Sequence, residues 1–119
     1  KSLESGRHSL VMMWRGGKIK VQTKKMDTVV KELKLERVDA LKIDVEGAEM
    51  LVLAGAKYVL TNFSPRLIIE VHSEVSKGDP NQHLASKRKR LNELTQFLSS
   101  KGFRVQPFLG TRFFVYATK

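Results

Sequence analysis

The sequence predicts one α/β domain in which parallel strands alternate with helices and an antiparallel hairpin closes the sheet. Two observations carry this prediction. The segments 41–45 and 67–71 are short apolar runs without strict alternation, as expected of strands covered on both faces, and helical patterns stand before and after each of them. Near the end of the chain, Gly110 lies between two apolar segments, 103–108 and 112–117, which predicts two antiparallel strands.

The remaining elements follow in order. Residues 1–23 are expected to form an N-terminal hairpin region, with strands at 9–14 and 18–23 around a turn at 15–17. Residues 24–119 are expected to form the core of the same domain. Met26, Val29, Val30 and Leu33 repeat at helical spacing, and Asp27 is placed to cap that helix.

Two further helices are predicted in the core. One runs from about 48 to 60 and contains Gly55, which would let its backbone approach the sheet closely, before Ser64 and Pro65 break the pattern. The other runs from about 84 to 100, and Gly102 is placed as its C-terminal cap.

Composition narrows the class of protein. The 119 residues contain no cysteine, which excludes disulfides and thiolate metal sites and makes a reducing cytoplasm the expected location. No apolar run approaches the ~20 residues of a membrane span, so no membrane partner is expected. The chain lacks an initiating Met, which hints at a fragment or a processed product. The net charge of +10 attracts nucleic acid or acidic partners without specifying either.

One stretch carries a family resemblance. Residues 42–49 read Lys-Ile-Asp-Val-Glu-Gly-Ala-Glu, and Ile-Ile-Glu-Val-His follows at 68–72. Together they resemble the central signature of FkbM-type methyltransferases, closely over about 18–75 and by pattern beyond. Met26 stands where such proteins more often carry Leu. The resemblance implies part of a doubly wound, Rossmann-like methyltransferase sheet, S-adenosylmethionine as cofactor, and methyl transfer to an oxygen of a small molecule or sugar.

The chain also departs from that family. The glycine-rich turn after the first strand and the acidic residue after the second, which hold the cofactor in such enzymes, have no counterpart here. Gly16 and Gly17 fall in the predicted hairpin instead. We therefore expect the C-terminal half of a methyltransferase fold, with unknown cofactor-binding residues and little activity or cofactor affinity in isolation. The alternative function is a non-enzymatic basic α/β module that binds a partner or nucleic acid.

Candidate catalytic residues stand where the two buried strands end. Asp44 and Glu46 lie at the end of the first strand, and Glu70 and His72 at the end of the second. Adjacent parallel strands lie ~4.8 Å apart, so these groups are expected to meet in one crevice. Asp44, Glu46 and His72 are the candidate catalytic residues, since a carboxylate or imidazole can take a proton from a hydroxyl. The ligand spacing is not characteristic of any metal, and none is assigned.

Structural roles compete with these assignments. Asp44 can cap a turn, Glu46 and Glu49 can favour the positive end of the helix that follows, and Glu70 can pair with Lys42 on the neighbouring strand. The run 87–90, Lys-Arg-Lys-Arg, is expected on a solvated helix face, with phosphate contact as its alternative.

The missing half has a consequence for assembly. The strand from Leu41 to Val45 would have one unpaired edge, and such an edge is a template for pairing. We expect either the N-terminal hairpin to cover it or two chains to associate across it.

Overall fold

The computed structural model describes residues 2–4, 18–75 and 77–119. β1 (Ser2–Glu4) pairs antiparallel with β2 (Lys18–Lys20), with Leu3 opposite Ile19. The predicted strand at 18–23 is thus present in its first three residues, but its observed partner is β1. The predicted strand at 9–14 and the turn at 15–17 lie outside the described residues.

The main sheet has four strands in the order β3-β4-β6-β5. They are β3 (Ala40–Ile43), β4 (Arg66–Val71), β5 (Arg104–Leu109) and β6 (Phe113–Thr118). β3 and β4 are parallel, and β6 lies antiparallel to both β4 and β5. The predicted parallel pair and closing hairpin are confirmed, and the protein is a mixed α/β structure with a mixed sheet.

Four helices accompany the strands: α1 (Met26–Glu32), α2 (Glu49–Ala54), α3 (Lys57–Asn62) and α4 (Pro80–Ser100). The prediction of one helix over 48–60 is wrong, because the chain breaks at Gly55 and Ala56 into α2 and α3. Gly55 approaches the start of α1 rather than the sheet: a Cβ added there would lie 3.4 Å from Lys25 Cβ.

Asp27 explains why a second helix starts after Gly55. Its carboxylate accepts hydrogen bonds from the backbone N–H groups of Tyr58 and Val59, at 2.9 and 3.1 Å. These are first-turn donors of α3, which otherwise have no partner within that helix. Asp27 therefore caps α3, and the prediction that it caps its own helix is wrong, since α1 has no side-chain cap.

The long helix α4 has clear signals at both ends. It begins four residues earlier than predicted, at a capping box in which Asp79 and Gln82 bond each other's backbone N–H groups. At its end Gly102 has φ +86°, and the N–H groups of Gly102 and Phe103 donate to Ser99 and Leu98. The predicted cap at Gly102 is confirmed as a Schellman motif.

The core lies on one face of the main sheet. Alternate residues of β4 and β6 are buried there against α2, α3 and α4, whereas Ile68 on the opposite face is 47% exposed. The prediction that both central strands are covered on both faces is therefore wrong within the described residues, because the helices described all pack on the same side. The central members of this core are Leu53, Leu60, Leu67, Ile69, Leu94, Leu98 and Val115.

The outer edge of β3 bears on the assembly prediction. Of the described strands only β4 pairs with β3, and β2, the described part of the predicted hairpin, lies in a separate sheet. Cover by that hairpin is thus not observed among the residues that the structure describes. In the same part of the chain, no helix is both long and apolar enough to cross a membrane.

Candidate functional site

The ends of β3 and β4 bring three carboxylates to one imidazole nitrogen. His72 Nε2 lies 3.5 Å from Asp44 Oδ1, 3.8 Å from Glu46 Oε2 and 3.8 Å from Glu70 Oε1. His72 is largely buried, whereas Asp44 and Glu46 are more open to solvent. The structure thus places the three predicted catalytic residues, with Glu70, in the one crevice that strand order predicts.

A left-handed turn after β3 gives this crevice its shape. Glu46 has φ +50° and Gly47 has φ +102°. Glycine adopts such angles freely, but a residue with a Cβ does so at a cost of ~1 kcal/mol or more. Without the turn the chain would continue along the strand direction, and the carboxylate of Glu46 would not return toward His72.

Glu49 occupies the other side of the imidazole. Its carboxylate is fully buried at the first residue of α2, and its Oε1 lies 2.8 Å from His72 Nδ1 and 3.0 Å from the backbone nitrogen of Gly47. The sequence suggested a helix-capping role for Glu49. The structure instead makes it a partner of His72 that also accepts the Gly47 N–H.

The ionisation of Glu49 follows from these contacts. Burial by itself raises the pKa of the Glu49 carboxyl group. The hydrogen bonds from His72, from the backbone of Glu49 and Gly47, and from Arg90 outweigh burial and hold this pKa below its usual range. Glu49 is therefore a buried carboxylate that stays charged.

The positive charge beside Glu49 comes from Arg90 on α4. Arg90 is only 4% exposed, and its Nη2 donates to Glu49 Oε2 at 2.9 Å and to the Gly47 carbonyl at 2.6 Å. Its Nη1 contacts Glu74. The prediction of a solvated face over 87–90 is right for Arg88 and Lys89, which are exposed, and wrong for Arg90.

Glu70 has different neighbours from those expected. Its Oε1 lies 3.8 Å from His72 Nε2 and 3.8 Å from Arg112 Nε, so the predicted pair with Lys42 is wrong. The parallel register explains the difference, because it sets Lys42 beside Ile68, two residues before Glu70.

Residues 2–105 match the methyltransferase FkbM domain. The chain belongs to the FkbM methyltransferase family. The resemblance noted in the run 42–49 is thereby confirmed, and that run is the one that builds the turn and carries Asp44, Glu46 and Glu49.

A curated relative adds a second comparison. This FkbM domain is 35% identical over 82 residues to the AMB antimetabolite synthetase AmbE of Pseudomonas aeruginosa. The match covers 69% of this chain and 4% of that protein, so the chain spans only a small part of its relative. No solved structure matches the chain significantly.

The FkbM site has a defined chemical capacity. An oxygen of Asp44, an oxygen of Glu70 and a ring nitrogen of His72 all lie within 4.8 Å of one another. A single hydroxyl oxygen or a small cation can therefore contact all three groups at once. Arg90, Glu49 and Glu74 are site residues that sequence reasoning missed. For Arg90 a signal existed, since it stands four and eight residues before the core residues Leu94 and Leu98.

Proposed function

We propose that this FkbM domain transfers a methyl group from S-adenosylmethionine to a hydroxyl oxygen of a small molecule or sugar, with His72 as the proton acceptor. The observation that supports this is the arrangement at His72 Nε2, which faces Asp44, Glu46 and Glu70 at 3.5–3.8 Å. A hydroxyl in that crevice meets a nitrogen that can take its proton and carboxylates that favour the resulting imidazolium.

Each residue has a distinct part in this proposal. Asp44 is the most exposed of the three carboxylates, so it orients the incoming hydroxyl as a hydrogen-bond acceptor. Glu46 and Glu70 flank Nε2 and stabilise positive charge on the ring. S-adenosylmethionine, when bound, supplies the methyl group as part of a cationic sulfonium.

The described residues do not fit the main cofactor contacts of the fold. Such contacts need a glycine-rich strand–turn–helix with free backbone N–H groups. The turn after β3 is a candidate by position, but the Gly47 N–H already donates to Glu49. We propose that residues other than those described hold the cofactor.

The relative supports the class of acceptor. AmbE is named as an antimetabolite synthetase, and antimetabolites are small molecules. We therefore favour a small hydroxylated acceptor over a macromolecule. The half-exposed acidic crevice suits a neutral or cationic acceptor better than a phosphorylated one, because anions would be repelled.

Methyl transfer from labelled S-adenosylmethionine to a panel of hydroxylated small molecules tests this function. The assay uses the longest natural protein that contains this chain. We expect His72→Gln to lower kcat about 10²–10⁴-fold, the usual cost of losing a positioned base. His83→Gln is the matched control, because His83 contacts Ser73 outside the crevice.

The outcomes of this assay separate the alternatives. Near-normal turnover by His72→Gln would refute the base role, and near-normal turnover by both Asp44→Asn and Glu46→Gln would return those residues to structural roles. If activity were lost in EDTA and recovered on addition of Mg²⁺, the crevice would bind a cation, and His72 would not act as the proton acceptor.

A basic binding module is the second candidate, and the net charge of +10 is what favours it. Arg88 and Lys89 are exposed on α4, but Arg90 from the same run is committed to Glu49. Filter binding to nucleic acid at several salt concentrations tests it. Affinity that is absent at physiological salt would reject this candidate.

We also propose that two chains associate across the edge of β3 that is left unpaired among the described residues. The strand is apolar except for Lys42 and has no proline, so little guards that edge. Light scattering should report a dimer that Leu41→Pro dissociates, with circular dichroism to confirm that the variant is folded. A monomer at high concentration would refute association.

A further inference from the structure

We infer that Glu49 and Arg90 are positioning residues that hold His72 as the Nδ1–H tautomer and thereby leave Nε2 free toward the acidic crevice. The meaning of this arrangement for catalysis rests on the proposed function, but the tautomer itself does not. The inference is carried by the two sides of one imidazole ring, which have different partners.

The hydrogen bond at His72 Nδ1 fixes which ring nitrogen carries the hydrogen. Glu49 Oε1 lies 2.8 Å from His72 Nδ1, a hydrogen-bonding distance. An ionised carboxylate only accepts hydrogen bonds, so Nδ1 must be the donor. In the neutral ring the other nitrogen, Nε2, then carries the lone pair.

Glu49 is held firmly in place beside His72. Its side chain is fully buried, so water does not compete for its oxygens. Oε1 also accepts the Gly47 N–H at 3.0 Å, and Oε2 accepts from Arg90 at 2.9 Å. Because both oxygens are bonded within a packed site, the carboxylate cannot rotate away from His72 without breaking its hydrogen bonds with Gly47 and Arg90.

Arg90 links the partners on the two sides of the ring. Its Nη2 also donates to the Gly47 carbonyl at 2.6 Å, which fixes the turn that carries Glu46. Glu46 lies near Nε2, whereas Glu49 lies at Nδ1. One guanidinium group thus sets the partner on one side of His72 and the turn on the other.

A third contact anchors Arg90 itself. Its Nη1 contacts Glu74, and the backbone N–H of Glu74 donates to Ser86 Oγ on α4 at 2.9 Å. Glu74 is half-exposed, so we expect it to contribute less than the buried contacts. The charges alternate from Glu74 through Arg90 to Glu49, and Glu49 contacts His72 at the crevice.

Nitrogen-15 NMR of the His72 ring in the full chain tests the inference without any assay of activity. At a pH where the ring is neutral, we expect Nδ1 to carry the proton and Nε2 to give the signal of an unprotonated nitrogen. Glu49→Gln presents an amide that can also donate, so we expect it to lose this preference and give a mixture of tautomers.

Arg90 is tested in the same spectra with a matched control. We expect Arg90→Met to weaken the preference, and Arg88→Met, which changes an exposed arginine two residues away, to leave it intact. Arg90→Lys keeps the charge beside Glu49 and should restore the wild-type tautomer. If Arg90→Met does not fold, the isosteric Glu49→Gln carries the test, with amide spectra as the check of folding.

The readouts distinguish failure of this inference from failure of the proposed function. An Nε2–H tautomer in the wild type, or an unchanged tautomer in Glu49→Gln, would overturn the inference whatever the activity. The expected tautomers with a fully active His72→Gln would leave the positioning geometry in place and refute the base role. If both proposals hold, Glu49→Gln lowers kcat at least about tenfold with little change in KM.

Discussion

Replacement of Arg90 by methionine removes a buried cation while keeping a long side chain that can fill the same space. Arg90 donates to the buried carboxylate of Glu49 and to the Gly47 carbonyl, and it contacts the half-exposed Glu74. Removing one partner of a buried ion pair costs about 3–5 kcal/mol, because the other charge stays buried without compensation. The Glu74 contact adds little, since solvent screens it.

Urea denaturation followed by circular dichroism measures this cost. A domain of this size has a free energy of unfolding of about 5–15 kcal/mol, so the variant should remain folded at low urea but lose a large part of its stability. With a slope of about 2 kcal/mol per molar urea, the midpoint should fall by about 2 M. Arg88→Met on the exposed side of α4 should change stability by less than about 0.5 kcal/mol.

The comparison of Arg90→Met with Arg88→Met shows whether Arg90 stabilises the buried charge of Glu49. If Arg90→Met and Arg88→Met were equal within about 1 kcal/mol, Arg90 would not stabilise a buried charge, and the electrostatic account of the site would be wrong. If Arg90→Met were unfolded at all urea concentrations, Arg90→Lys would serve instead. It keeps one positive charge but cannot make two-armed contacts, so its loss of stability should be intermediate.

Three other outcomes follow from named contacts. The lowered pKa of Glu49 stabilises the fold fully above the usual carboxyl range, and this stability is lost as pH falls through the lowered pKa. Glu49→Gln should therefore flatten the dependence of the urea midpoint on pH at and below the usual carboxyl range. Asp27→Ala should lower stability by about 1–2 kcal/mol in thermal melts, because α3 loses its cap, whereas Asp39→Ala on the surface should cost far less. Gly102→Ala should cost about 1 kcal/mol because its φ is +86°, and Gly110→Ala, which has no such φ, should cost almost nothing; equal effects would refute the backbone argument.

Local sequence signals were sufficient where the structure depends on neighbours in the chain. The parallel pair β3 and β4, the closing hairpin and the cap at Gly102 follow from apolar runs, turn residues and a glycine at a helix end. The crevice residues Asp44 and His72 could be placed for the same reason, since strand ends in a parallel pair meet at one edge.

Contacts between distant residues account for what the sequence did not reveal. The break between α2 and α3 depends on Asp27, which accepts a hydrogen bond from the backbone N–H of Tyr58, 31 positions further along the chain. The burial of Arg90 depends on Glu49, 41 positions away; the spacing of Arg90 from Leu94 and Leu98 indicates its helix face but not its partner. The predicted partner of Glu70 is wrong because the register of β3 against β4, which sets Lys42 opposite Ile68, is defined only once the strands pair.

The bond between Arg90 and the Gly47 carbonyl changes what the sequence signature means. The eight-residue run 42–49 reads as a self-contained motif, yet its turn is fixed by a side chain 43 positions further along. A protein that carried the run without an arginine at the matching place on α4 would have the same residues at 42–49 but would lack the positive charge that pairs with Glu49. Anyone who transplants this segment to another scaffold must therefore carry the arginine and the helix that presents it, because the functional unit is spatial and spans two separate stretches of sequence.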